Sequence, residues 1–174
     1  MNYHNITTCD MKNGDGLRVV LWVSGCSHHC KNCQNPQTWD VDSGIPFDEA
    51  AEKELFDELG KDYHQGLTFS GGDPCNPNNF PTVAYLADKA KKLYPKKDIW
   101  VYTGFELQIL TNNVPGFREK DLNIFMKNVD VIIDGPFIDR LKDNTLHWRG
   151  SSNQTIWRKS PTTGRFEKDI TDER

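Results

Sequence analysis

No part of this 174-residue chain stays apolar for long. The longest such run, "VVLWV" from Val19 to Val23, is far short of the ~20 residues a membrane-spanning helix needs. The opening "MNYHNITTCD" has no basic segment leading into an apolar one, so no secretory signal is expected. Basic stripes are missing too: 21 Lys and Arg stand against 25 Asp and Glu, a formal net charge of -4, which argues against a nucleic-acid partner. No repeat, low-complexity run or Gly/Ser linker divides the chain. A single domain over 1–174 is therefore expected, with a core over about 13–159 and a frayed C-terminal tail, "EKDITDER". Cysteine is scarce and odd in number: Cys9, Cys26, Cys30, Cys33 and Cys75. An odd count without a signal argues against a disulfide framework and for metal ligands or reactive thiols in the reducing cytoplasm.

What is present is alternation. Strand-like runs at 17–23, 66–70, 98–104 and 129–134 are separated by helical patterns at 46–60, 80–95, 106–110 and 117–127, with one late strand within 149–159. Continuous apolar strands alternating with helices predict an α/β fold of parallel strands joined by right-handed crossovers. Four or five such units cannot close an eight-stranded barrel, so the sheet is expected to be an open or partial (β/α) barrel. Ligands in such sheets bind at the carboxyl ends of the strands. The notable motifs all fall there: the cysteine loop, "GGDP", "TGF" and "DGPF" follow successive strands.

The loop "VSGCSHHCKNCQN" (23–35) holds three cysteines with spacings of three and two residues. Structural zinc needs four ligands, and His28 or His29 as the fourth would sit cramped between two cysteines sharing the metal. A thioredoxin-like pair would use Cys30 and Cys33 and leave Cys26 idle. A 4Fe-4S cluster on three cysteines keeps one iron open for a ligand, unlike relay clusters that are fully capped. Spacing alone favours the cluster without removing zinc.

"C-x3-C-x2-C" after an early strand, followed by "SGGDP" (70–74) after the next, resembles the radical S-adenosylmethionine superfamily. The resemblance implies a partial barrel of that type and a 4Fe-4S cluster on Cys26, Cys30 and Cys33. It also implies S-adenosyl-L-methionine chelated to the open iron, its methionyl amine against Gly71, Gly72 and Asp73. Glycines there let backbone approach a ligand closely. Asp73 stands where the motif more often has Glu, and Asn32 where many members carry an aromatic residue, so the role implied for Asn32 is a backbone contact.

The segments "NGDGLRVVLWVSGC", "CQNPQTW", "DIWVYTGF", "VDVIIDGPF" and "LHWRGSSNQ" extend the resemblance to the activating proteins of anaerobic (class III) ribonucleoside-triphosphate reductases, from about residue 13 to 154. Asp15 departs from a Gly-Pro-Gly turn common in that family. The resemblance implies that one electron from the cluster cleaves S-adenosylmethionine to methionine and a 5′-deoxyadenosyl radical, which takes hydrogen from a glycine of the large reductase subunit. A one-electron donor such as a flavodoxin is implied as a further partner. The alternatives are an activase of the pyruvate formate-lyase type, a radical enzyme acting on a small molecule, and a zinc-stabilised binding module. Arg149 to Gln154 read equally as a cofactor or partner contact and as a polar turn. Asp134 reads as a site hydrogen bond or as a cap for "GPF". His28, His29 and His147 read as solvated loop residues, and Cys9 and Cys75 as small buried hydrophobes.

Overall fold

The computed structural model describes residues 1–112 and 114–171. One mixed sheet contains β1 (Asn2–Asp10), β2 (Arg18–Val23), β3 (Ile45–Pro46), β4 (Gly66–Gly71), β5 (Asp98–Tyr102), β6 (Val131–Asp134), β7 (Thr155–Lys159) and β8 (Phe166–Lys168). The helices are α1 (Glu49–Leu59), α2 (Phe80–Leu93), α3 (Leu107–Thr111) and α4 (Glu119–Asn128). The spatial order is β3-β1-β2-β4-β5-β6-β7-β8. Its four central strands, β2, β4, β5 and β6, run parallel. The outer strands are antiparallel, so the sheet is mixed where the alternation predicts parallel strands. The order is linear, with β3 and β8 at the two edges.

Three strands escape a pattern reading for physical reasons. Register shifts in β1, between Tyr3 and Asn5 and between Thr7 and Asp10, break its period of two, leaving only Tyr3 and Ile6 fully buried. β3 and β8 are too short to carry a period. β8 lies in and before the tail expected to fray, and it is paired to β7; residues 172–174 of that tail lie outside the described residues. Among the described residues no helix is long and apolar enough to cross a membrane.

Period two along the parallel strands sorts their side chains onto two faces. Val19, Leu21, Val23, Leu67, Phe69, Ile99, Val101 and Ile132 join one apolar core with Leu55, Phe56 and Leu59 of α1, Val83 and Leu86 of α2, and Phe125 of α4. The Asp48 carboxylate starts α1 by accepting from Ala51 N at 3.0 Å, and Lys91 and Lys92 complement the dipole at the end of α2. Phe80 at the start of α2 stacks on Phe117, centroids 3.8 Å apart, and so anchors the approach to α4.

The opposite face is built differently. Trp100, fully buried, lies between two guanidinium groups, Arg18 at 5.0 Å and Arg158 at 4.9 Å from its ring centroid, with Trp148 edge-on. Arg18 is also fully buried. It donates to Thr68 Oγ1 at 2.7 Å and to the Asp15 and Leu67 carbonyls, and pairs with Asp98 at 2.6 Å. One side chain thus joins β2, β4, β5 and the loop before β2. Arg158 holds Asp169 just past β8. Burial pushes the Asp169 carboxyl up, but hydrogen bonds from Thr171 and Arg158 outweigh it and hold the group at about 2.

Arg18→Met would leave Asp98 and the Asp15 and Leu67 carbonyls without their donor, and is expected to lower stability by about 3 kcal/mol in urea unfolding. Because the folded pKa of Asp169 is depressed, its stabilisation is complete above the ordinary carboxylate range and lost as pH falls through about 2. Amide protection of β8 should therefore fall between about pH 4 and pH 2, and Asp169→Asn should remove that step.

Candidate functional site

The cysteine loop leaves the end of β2 and returns to it. Gly25 N donates to Thr38 O at 2.7 Å and Cys26 N to Trp39 O at 2.9 Å, closing the loop at its base. Inside it, Cys33 N donates to Cys30 O, and Asn35 N approaches Cys33 Sγ at 3.3 Å. His29 (φ 44) and Asn32 (φ 56) adopt left-handed backbone, costly for side chains other than glycine and common where a loop is shaped around a ligand.

The turn after β4 is pressed onto that base. Gly72 N donates to Val23 O and Asp73 N to Gly25 O, both at 2.8 Å. A Cβ on Gly72 would stand 2.7 Å from Gly25 O, and one on Gly71 (φ 99) 2.9 Å from Val23 O. The glycines are therefore demanded first by the neighbouring backbone, and only second by any ligand. Asn79, fully buried just before α2, bridges the two loops by donating to Ser24 O at 2.7 Å and Asp73 O at 2.9 Å. The buried Asp73 carboxylate is enclosed: Oδ1 accepts from Cys75 N and Thr103 Oγ1, both at 2.8 Å, and Oδ2 from Gly104 N at 3.0 Å.

Cys26, Cys30 and Cys33 open on one cavity of about 560 Å³ with Gly71 and Gly72. Trp22, Tyr102 and Trp148 contribute to its walls, and the buried Tyr102 hydroxyl has no hydrogen-bond partner. Among the described residues no three His, Cys, Asp or Glu side chains converge as ligands of one ion. Thiolates sharing a zinc stand roughly 3.8 Å apart, given Zn–S bonds of about 2.3 Å, whereas a four-iron cluster takes each cysteine on a different iron. Burial pushes the Cys26 thiol up to about 11, against the backbone N–H of His28, and burial raises Cys30 as well. Bound iron would keep such thiols deprotonated. Three thiol donors beside an open cavity fit a cluster with one open position, where a closed zinc site would need a fourth ligand.

A family model described as a 4Fe-4S single cluster domain matches residues 12–157. The anaerobic ribonucleoside-triphosphate reductase-activating protein of Escherichia coli strain K12 is 42% identical over 158 residues, covering 90% of this chain and 97% of that protein. Its namesake from Enterobacteria phage T4 is 43% identical over 169 residues, 97% of this chain and 100% of that protein. The chain belongs to this family of activating proteins. A Haemophilus influenzae member with the same name is 42% identical over 161 residues, 91% of this chain and 98% of its own length.

Other residues singled out in the sequence of this family member take varied places. Asn32 is not part of the cavity wall; its amide donates outward to Asp139 at 2.9 Å. Arg149, Gly150 and Gln154 do line the cavity, and they form a tight turn: Gln154 Oε1 accepts from Gly150 N and Ser151 N, while its Nε2 donates to Gly135 O. Asp134 caps neither "GPF" nor the cavity; its Oδ2 accepts from Leu107 N at 2.7 Å, at the start of α3. Cys75 is buried, and burial raises its pKa, as a small apolar side chain requires. Cys9 is instead exposed at φ 56, its Sγ 3.7 Å from His64 Nε2. His28 is not a solvated loop residue, because its ring turns inward to Asp73 Oδ2 at 2.9 Å. Thr103 and Gly104 belong to the "TGF" that the sequence places at a strand end without a role, and their part is to hold the Asp73 carboxylate; Asn79 carries no sequence signal, since Asn before a helix reads as a cap.

Replacing Cys26, Cys30 or Cys33 by alanine is expected to abolish iron and sulfide incorporation, whereas Cys9→Ala and Cys75→Ala should retain it. Gly72→Ala should lose cluster and stability together, since its Cβ meets main chain rather than a movable side chain. Iron and sulfide analysis after anaerobic reconstitution checks both.

Proposed function

We propose that this chain cleaves S-adenosylmethionine reductively on a 4Fe-4S cluster held by Cys26, Cys30 and Cys33, and so generates a glycyl radical on the large subunit of anaerobic ribonucleoside-triphosphate reductase. The observation that carries the reading is the shared cavity: three cysteines and a glycine turn, joined by backbone hydrogen bonds, face one space in a chain with this kinship. When bound, the cluster supplies the electron that splits the sulfonium and yields the hydrogen-abstracting deoxyadenosyl radical.

The chain's own residues bind and shield. In this reading three cysteines leave one iron for the amino and carboxylate groups of the methionyl end, and backbone at Gly71 and Gly72 orients that end. Asn32 and Asp73 belong to the same proposal as loop residues that shape the site, Asp73 through its enclosed carboxylate. Trp22, Tyr102 and Trp148 wall the site off from solvent and from stray hydrogen donors that would quench the radical. The Tyr102 hydroxyl, costly to bury unpaired, is a donor that a bound ligand can satisfy. We read the parallel centre of the sheet as the partial barrel of radical S-adenosylmethionine enzymes, its open side admitting the glycine loop of the larger partner. A cytoplasmic one-electron donor of the flavodoxin kind would suit this chemistry.

Anaerobic mixing with the large reductase subunit, S-adenosylmethionine and a strong one-electron reductant should give a glycyl radical on the partner by paramagnetic resonance. 5′-Deoxyadenosine should form in proportion to that radical. A partner that stays diamagnetic while deoxyadenosine accumulates with a nucleotide present would overturn the activase reading in favour of a small-molecule radical enzyme.

A further inference from the structure

We propose that His28 is a positioning residue that fixes the cysteine loop to the glycine turn through Asp73, so that the cluster and the methionyl end of S-adenosylmethionine are held in one register. This rests on the reading that S-adenosylmethionine binds at Gly71 and Gly72.

His28 lies between two proposed ligands, Cys26 and Cys30, in a loop whose composition suggests a solvated ring. Its side chain is instead only 19% exposed, with Nε2 2.9 Å from Asp73 Oδ2. That nitrogen has no aligned hydrogen bond, so the contact is a close electrostatic approach rather than a directed bond. The ring also meets Phe105 edge-on, centroids 4.7 Å apart. Beneath it lies Gly104, where a Cβ would fall 2.4 Å from His28 Cδ2 and 2.6 Å from Nε2. Gly104 is therefore a glycine with a stated occupant: its missing side chain is the space in which the imidazole lies.

Asp73 is the hub of this arrangement. Its carboxylate is 1% exposed and accepts from the end of the glycine turn at Cys75 N and from the end of β5 at Thr103 Oγ1 and Gly104 N. With those contacts made, it has little capacity left for a ligand of its own. What it can transmit is position. His28 brings the cysteine loop to the same carboxylate, and the backbone of residue 73 is already bonded to Gly25 O. Loop, turn and third parallel strand thus meet around one carboxylate, the kind of support that orients ligands it never replaces.

A histidine that merely fills space would affect stability alone. A positioning histidine affects ligand binding while the cysteines still carry iron, and Gly104 gives an independent way to displace the ring. The test uses the full chain, reconstituted anaerobically, with iron and sulfide content measured and S-adenosylmethionine titrated against the paramagnetic resonance signal of the reduced cluster. His28→Ala and Gly104→Ala are each expected to keep iron and sulfide while weakening S-adenosylmethionine about ten-fold, the lower end for loss of an outer-shell partner. The double variant should be no worse than His28→Ala, because no ring remains for the new methyl group to displace. If His28→Ala does not fold, His28→Asn, too short to reach Asp73 across Gly104, carries the same expectation. Unchanged affinity in the histidine variant, loss of its iron, or additive losses in the double variant would each overturn the proposal. A wild-type cluster that does not respond to S-adenosylmethionine overturns the reading of the site and this inference with it; a wild-type response kept intact without His28 overturns the inference alone.

Discussion

The approach of one backbone to another at the ends of β2 and β4 is the constraint on which the site depends. Gly71 and Gly72 lie so near Val23 and Gly25 that no side chain fits between them, and two main-chain hydrogen bonds seal the contact. Bonds of this kind fix position in a way that side-chain packing cannot, because neither partner has a rotamer to change. Asn79 reinforces the same junction from beneath by donating to a carbonyl on each side. The cysteine loop and the glycine turn, separated by about forty residues of sequence, therefore behave as one rigid unit.

Much of this was readable in the sequence, and the boundary between what was and was not is physical. Apolar runs such as "VVLWV" and "VIID" announce buried parallel strands because both faces are covered. The three cysteines and "SGGDP" announce a site because few other arrangements need those residues at strand ends. β1 was not readable: two register shifts scramble its alternation, and its outward side chains are polar. His28 was misread for another reason. Its inward turn is set by Gly104 and Asp73, residues distant in sequence, and nothing local distinguishes it from His29. The glycines at 71 and 72 read in sequence as room for a ligand, whereas the atoms that a side chain there would meet are the main chain of Val23 and Gly25.

The two faces of the sheet solve different problems. The helix-covered face is almost wholly apolar and holds the layers together. The other face must border a polar cavity, and there Arg18 and Arg158 enclose Trp100 while their charges are met by Asp98, Asp15 and Asp169. Charges in such a place need their partners nearby, since an unpaired one costs several kcal/mol. Trp22, Tyr102 and Trp148 reach the cavity itself, while the Arg18 and Trp100 pair stays buried behind its lining.

The sheet ends in very short strands, two residues in β3 and three in β8. A long bare strand at either margin would offer unpaired amides and carbonyls to any extended segment that came near, including another copy of the same chain. Stubs give such a visitor little to zip onto. The flanks are thereby spared competing ribbons, and where the sheet stops decides how little of its backbone a strand-like visitor can engage.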